Sequence, residues 1–249
     1  MVKLISAGAT DIGLWRNNNE DAYLAMPESG LFAISDGMGG AAAGEIASGY
    51  FIETVQAIFG SRIPVSGETS HARVQKVFRS SNERIFEHIA QHPSDEGMGC
   101  TGDILVLDEG SYVVGHVGDS RVYLLRDGSL RQLTKDHSLV QFQVDQGMLT
   151  REEAANHPRK NIILRAVGTD PMITCDILEG TALNHDIFLL CSDGLTDMVD
   201  DSVIQHTLVS TGSLQHRVKN LIAAAMAAGG KDNITIVLCK IEIDVGPGA

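Results

Sequence analysis

Short apolar or alternating runs recur along the chain at Ala22–Met26, Leu31–Ser35, Ile104–Leu107, Tyr112–Val117, Val122–Leu125, Ile187–Cys191 and Ile234–Ile243. Runs of this length, rich in Val, Ile and Leu, predict β-strands. Asp108-Glu109-Gly110 and Asp127-Gly128, the latter leading into Leu130–Leu133, separate neighbouring runs with hairpin-forming residues and predict antiparallel pairing. A 3.6-residue period takes over in three segments. After Gly44 it aligns Ile46, Ala47, Tyr50, Phe51, Val55 and Ile58; between His71 and Gln91 it aligns Val74, Val77, Phe78, Ser81, Ile85, Phe86 and Ile89. From Ser213 it aligns Leu214, Val218, Leu221, Ile222 and Met226, and Gly229-Gly230 stops it. Long antiparallel stretches covered by a few amphipathic helices predict an α+β layer arrangement over an alternating βαβ fold.

Residues 135–168 break this pattern. Asp136-His137, Arg151-Glu152-Glu153 and His157-Pro158-Arg159-Lys160 make the stretch polar, so it reads as an excursion over the surface. No linker or repeat divides the chain, which predicts one domain over residues 1–243, with Asp244–Ala249 a flexible tail.

Composition changes the picture in two ways. A chain of 249 residues, 43% hydrophobic, buries one sizeable core. Its net charge of −13, with no run of Lys or Arg, excludes nucleic acid as a partner and repels anions generally. A site for an anionic substrate would therefore need local positive charge, for which bound cations are the obvious source. Cys100, Cys175, Cys191 and Cys239 form no C-x-x-C pair and read as reduced thiols. Nothing near Lys3 resembles a signal peptide and no apolar run reaches membrane-spanning length, so the expectation is a cytoplasmic protein that does not engage membranes.

Two strand-like runs enter the same device, Ser35-Asp36-Gly37 and Ser192-Asp193-Gly194. Asp232-Asn233 stands immediately before the run at Ile234, and Gly118-Asp119 immediately after the run ending at Val117. Singly, each acid is what a turn or helix cap looks like. Jointly, convergent strand ends would bring carboxylates together whose unpaired burial costs several kcal/mol each, roughly, unless a counter-ion is present. Hard oxygen ligands select Mg²⁺ or Mn²⁺ over Zn²⁺. Ahead of the first run, Arg16-Asn17-Asn18-Asn19-Glu20-Asp21 mixes one cation with two acids. Arg16 offers a planar fork suited to phosphate, although a local Arg–acid pair in a polar loop is the simpler reading.

These residues resemble the PPM/PP2C family of metal-dependent protein serine/threonine phosphatases, especially its bacterial members. The resemblance rests on Arg16-x-x-Asn19-Glu20-Asp21, Asp36-Gly37-Met38-Gly39-Gly40 with Gly44-Glu45-x-Ala47-Ser48, and His116-Val117-Gly118-Asp119-Ser120-Arg121. Leu133-Thr134-x-Asp136-His137-Ser138, Ser192-Asp193-Gly194-Leu195-Thr196-Asp197 and Asp232-Asn233-Ile234-Thr235 complete it in family order. The resemblance implies a sandwich of two mainly antiparallel sheets flanked by helices, with the excursion at 135–168 as a flap beside the site. It implies two core Mn²⁺ or Mg²⁺ ions and a weaker third. Asp36 would bridge the pair, Asp193 and Asp232 would hold the first ion, and the Gly37 carbonyl and Glu20 would serve the second. Asp119 with Asp193 would form the third site, Asp21 would orient water, and Arg16 would grip the substrate phosphate. The implied reaction is hydrolysis of phosphoserine and phosphothreonine without a phosphoenzyme, the partners being phosphorylated proteins and a cognate Ser/Thr kinase with its targets, and the implied state is a monomer.

One departure stands out. Relatives carry His after Gly39-Gly40 or after the equivalent of Gly37, where this chain has Ala41 and Met38. The leaving-group proton would then come from water or from His137, although a lone loop histidine is usually structural. Trp15, beside Arg16, could wall a substrate cleft or pack locally, and packing is the expectation, as large aromatics are generally mostly buried. The missing histidine leaves a catalytically silent phosphoprotein-binding module as the rival reading, and the acids alone do not separate either from a hydrolase of small phosphoesters.

Overall fold

Successive side chains of a strand point to opposite faces, so a strand that is apolar at every position has to be covered on both sides. The computed structural model, which describes residues 2–39, 43–60, 69–108 and 110–243, meets this demand with four layers. Its strands are β1 (Val2–Asp11), β2 (Asp21–Met26), β3 (Leu31–Met38), β4 (Gly99–Cys100), β5 (Gly102–Asp108), β6 (Ser111–Val117), β7 (Arg121–Arg126), β8 (Ser129–Gln132), β9 (Asp176–Thr181), β10 (Ile187–Cys191) and β11 (Ile234–Ile243). Its helices are α1 (Ala43–Phe59), α2 (Ser70–Gln91), α3 (Leu139–Asp145), α4 (Arg151–Ala155), α5 (Asp193–Thr196), α6 (Asp201–Val209) and α7 (Leu214–Ala227).

One sheet runs β1-β11-β10-β7-β8 and the other β2-β3-β5-β6-β9, with β4 added beside β3. The pairings are antiparallel. Alternation along β3 and β10 sorts residues between layers. Phe32, Ile34, Phe188 and Leu190 meet Leu105, Val114 and Val237 between the sheets. Leu31 and Ala33 face outward into a core with Phe51 and Val55 of α1 and Val74 and Phe78 of α2. Leu189 and Cys191 face outward on the other side, against Ile204 of α6 and Val218 and Leu221 of α7. The α+β sandwich expected from the sequence is the one observed.

Each predicted strand and each of the three predicted helices is present, within a few residues at its ends. α2 starts with Thr69 accepting the Ala72 N–H at 3.2 Å, and α7 with Ser213 accepting the His216 N–H at 3.2 Å, so both helices are capped where the sequence offers a hydroxyl. β1, β9 and α6 were not anticipated. β1 mixes apolar, small and polar residues without a clear period and pairs with β11 along its whole length, from Val2 opposite Ile243 to Asp11 opposite Ile234. β9 is a half-exposed edge strand on β6.

The excursion at 135–168 is not featureless. It holds α3 and α4, the latter closed by a capping box between Thr150 and Glu153. Bridges from Val167 to Cys100 and from Ser138 to Ile163 tie it down. The four cysteines are free thiols. Among the described residues no helix is long and apolar enough to cross a membrane. Expectations that involved Gly40, Ala41, Glu109 and the tail 244–249 concern positions outside the described residues.

Candidate active site

The strand ends that carry the acids meet at one end of the sandwich. Asp21 opens β2 and lies directly opposite Asp36 near the end of β3. Asp193 follows β10 as the first residue of α5, Asp232 precedes β11, and β10 and β11 are neighbours. Asp119 occupies the turn from β6 to β7, and β7 is the other neighbour of β10. The sheet order therefore gathers acids that are more than 200 positions apart in sequence, as with Asp21 and Asp232.

Two close approaches fix this geometry. The Gly194 backbone lies against Asn233, so that a Cβ there would stand 1.9 Å from the Asn233 carbonyl oxygen. This sets Asp193 beside Asp232. A Cβ on Gly37 would fall 2.1 Å from the Gly44 carbonyl oxygen, which draws the N-terminal turn of α1 onto the end of β3.

Polar residues outside the predicted set hold the acids in place. The Asn233 side chain accepts the Glu20 N–H at 2.8 Å and donates to the carbonyls of Ile12 and Asn18, both at 2.9 Å. It pins the whole loop from β1 to β2. Thr101 accepts the Asp36 N–H at 2.9 Å through Oγ1, which also shares a hydrogen bond of 2.8 Å with Ser120 Oγ. Ser192 Oγ donates to Asp21 Oδ2 at 2.8 Å and accepts the Thr235 N–H at 2.9 Å. Asn233 and Ser192 stand inside the recognised motifs and Thr101 in Gly99-Cys100-Thr101-Gly102, but motif membership did not reveal which backbone groups they bind.

Electrostatics shows how crowded the site is. Desolvation, followed by the charges of Asp21, Asp193, Asp119 and Asp232, holds Asp36 well above the usual carboxylate range. Asp193 is held well above it too, by desolvation and then by Asp119, Asp197 and Asp232. Desolvation pushes Asp21 up to about 6 and, with Asp136 next, Asp119 up to about 7. Glu20 is raised by desolvation, against the opposing pull of Arg16. Asp21 Oδ1 and Asp193 Oδ1 are buried without a hydrogen-bond partner. Such oxygens are costly unless something positive meets them. A divalent cation fits this set, whose donors are all hard oxygens. Among the described residues no group of three His, Cys, Asp or Glu side chains stands in finished ligand geometry. Asp232 instead meets Arg16, whose Nη2 donates to its Oδ2 at 2.7 Å.

Two expectations are resolved by the surroundings. His137 has no freedom to act on a substrate: its Nδ1 accepts the Gly118 N–H at 3.1 Å, its Nε2 lies 3.2 Å from Asp176 Oδ2, and its ring packs 4.6 Å from that of His116. Burial first, then the neighbouring His116, pushes it down to about 4, so it is a neutral brace for the turn carrying Asp119. Trp15, expected to pack, is instead 71% exposed. The loop that Asn233 pins leaves no layer above it to receive the indole.

From Asp119 and Asp193 a cleft of about 1060 Å³ extends under the excursion, between α3 and α4 on one side and the start of α6 on the other. Arg121 bridges its floor, with Nε and Nη2 on Asp136 and Nη1 donating to Tyr123 Oη at 3.1 Å. Lys160, from the excursion, reaches Asp197 at 3.0 Å across the cleft.

The chain is similar to known proteins over most of its length. The family model described as protein phosphatase 2C matches residues 16–228. The serine/threonine phosphatase stp of Listeria monocytogenes is 34% identical over 238 residues, 94% of this chain and 94% of the relative. The serine/threonine protein phosphatase PstP of Mycobacterium tuberculosis is 39% identical over 242 residues, which are 96% of this chain but 46% of PstP, so the chain spans about half the length of that relative. A crystal structure of the PstP catalytic domain in complex with two manganese ions superposes with a TM-score of 0.89 at 36% identity, covering 98% of this chain and 100% of that domain.

Proposed function

The chain belongs to the protein phosphatase 2C family, and from that premise we propose that it hydrolyses phosphoserine and phosphothreonine on proteins, using Mn²⁺ or Mg²⁺ and no phosphoenzyme. The observation that carries this reading is the ring of crowded acids with unpartnered oxygens beside an exposed arginine. Asp36 would bridge two cations, with Asp193 and Asp232 on the first and the Gly37 carbonyl and Glu20 on the second. Asp119 with Asp193 would provide a weaker third position. When bound, the cations supply positive charge to the phosphoryl oxygens and make water between them a better nucleophile near neutral pH.

The chain's own residues then divide the remaining work. Arg16 binds the phosphoryl group. Among the described residues only its Nη2 is engaged, with Asp232, which leaves the other N–H groups of its fork for phosphate oxygens. Asp21, fixed through Oδ2 by Ser192, keeps Oδ1 to accept a hydrogen bond from the attacking water and aim it in line with the scissile P–O bond. The departing serine or threonine oxygen takes its proton from solvent, because Met38 and Ala41 carry no titratable group and His137 is committed to Gly118. The partners implied are phosphorylated proteins and the kinase that makes them.

The test is phosphate release from phosphoserine, phosphothreonine and phosphotyrosine peptides in Mn²⁺, in Mg²⁺ and in chelator, alongside Asp193→Asn. Turnover of the first two peptides only with metal, lost in the variant, is expected. Full activity in chelator would overturn the metal assignment, and metal binding without turnover of any peptide would favour a silent binding module.

A further inference from the structure

We propose that Trp15 is a substrate-recognition residue, its indole forming an apolar platform for a side chain that neighbours the phosphorylated residue of the protein substrate. The inference rests on the phosphatase reading above and adds a sequence preference to it. Trp15 is 71% exposed, Leu14 64% and Ile12 39%, so three large apolar side chains within four residues face solvent. Single exposed apolar residues are ordinary, whereas three in one short loop, followed by the exposed Asn17 and Asn18, make a candidate interaction site.

The patch is held rather than loose. The Leu14 N–H donates to the Gly230 carbonyl at 2.7 Å, the Gly13 N–H to Asp11 Oδ1 at 2.9 Å, and Asn233 donates to the Ile12 carbonyl at 2.9 Å. A pinned loop loses little entropy when a ligand settles on it.

The occupant follows from position. Trp15 is one residue from Arg16, and consecutive Cα atoms lie about 3.8 Å apart. A chain whose phosphate reaches Arg16 therefore passes within a side-chain length of the Trp15 backbone. The chemistry of the indole points the same way. The indole itself is uncharged, so what its exposed face selects is apolar surface to bury. The partner segment is thus an apolar residue adjacent to phosphoserine or phosphothreonine.

Trp15 is the chain's single tryptophan, so its emission reports this position alone. The experiment mixes the Mn²⁺-loaded full chain with phosphothreonine peptides that carry either Leu or Ser beside the phosphorylated residue, following emission by stopped flow. Turnover of both peptides and of free phosphothreonine is measured for the parent, Trp15→Ala and Trp15→Phe. The expected result is an emission shift with the Leu peptide that decays as phosphate is released. The ratio of kcat/KM for the Leu peptide to that for free phosphothreonine falls about tenfold in Trp15→Ala, the equivalent of about 1.4 kcal/mol, and recovers within a few-fold in Trp15→Phe. Unchanged emission, or an equal loss on peptide and free phosphothreonine, overturns the proposal. An emission shift that follows protein concentration without peptide overturns it in favour of a contact between copies of the chain. If the parent turns over no phosphoester, the phosphatase reading fails separately, and the emission change on mixing still decides whether Trp15 meets the peptide.

Discussion

Replacing Thr101 by valine isolates one hydroxyl that the motifs did not single out. Thr101 is fully buried, as is Ser120. Its Oγ1 accepts the Asp36 N–H at 2.9 Å and pairs with Ser120 Oγ at 2.8 Å, while its main chain donates to the Asp36 carbonyl at 2.8 Å. Valine has the same shape, so Thr101→Val opens no cavity and removes only the hydroxyl. The Asp36 N–H is then left facing a methyl group, at about 1–3 kcal/mol, and loss of the Ser120 partner adds about 1 kcal/mol, giving roughly 2–4 kcal/mol in all. Thr101→Ser keeps the hydroxyl and loses one methyl group, at about 1 kcal/mol. For a domain of this size each kcal/mol moves Tm by about 2–4 °C. Urea unfolding of both variants in chelator should therefore find Thr101→Val the less stable. A titration of Mn²⁺ followed by Tm should show the weaker response in Thr101→Val, because the backbone that aims Asp36 has lost its anchor. A valine variant as stable as the serine variant, with the same Mn²⁺ response, would refute the reasoning and make Thr101 a packing residue.

Other perturbations follow from the same geometry. Arg16→Ala should raise KM for a phosphopeptide at least tenfold, roughly what a lost charge-assisted fork costs, with a much smaller change in the Mn²⁺ needed for half-maximal activity; equal losses would make Arg16 a structural partner of Asp232. Gly194→Ala drives a Cβ to 1.9 Å from the Asn233 carbonyl oxygen and should lower stability by about 3 kcal/mol, seen as a Tm drop of about 6–12 °C. His137 gives a pH dependence. Its folded pKa of about 4 lies below the ordinary histidine value, so between pH 4 and about 6.5 the unfolded chain binds more protons and stability rises with pH. That contribution is complete above about pH 6.5 and is lost as pH falls toward 4, with a slope of at most ~1.4 kcal/mol per pH unit. His116, Asp176 and Arg165 face the same ring and remain in His137→Asn, which keeps an acceptor for Gly118. Urea denaturation across this pH range should show a shallower acid-side fall in the variant than in the parent.

Much of the molecule could be read from local pattern, because the pattern and the packing obey the same periods. The apolar runs Leu31–Ser35 and Ile187–Cys191 marked buried strands, and the structure divides their alternate residues between the inter-sheet layer and the outer helices. The acids were legible too, since an apolar run ending in Ser-Asp-Gly has few other uses when it occurs twice. What failed locally were segments whose order comes from a partner. β1 carries a weak apolar signal and exists through its register with β11, and Trp15 was assigned to packing because its residue type usually packs.

Sequence alone thus determined the strands, the covering helices and an α+β layering, since these follow from side-chain periodicity within short windows, while the two-sheet sandwich and the choice of acids came from the family resemblance. Only the tertiary structure decided that β3 and β10 end where β11 begins, that Asn233 and Thr101 lock the acid-bearing segments to one another, and that Trp15 stands in solvent. Those outcomes depend on contacts between residues tens to hundreds of positions apart, and the free energy of such contacts is set by what the rest of the chain places above and below them.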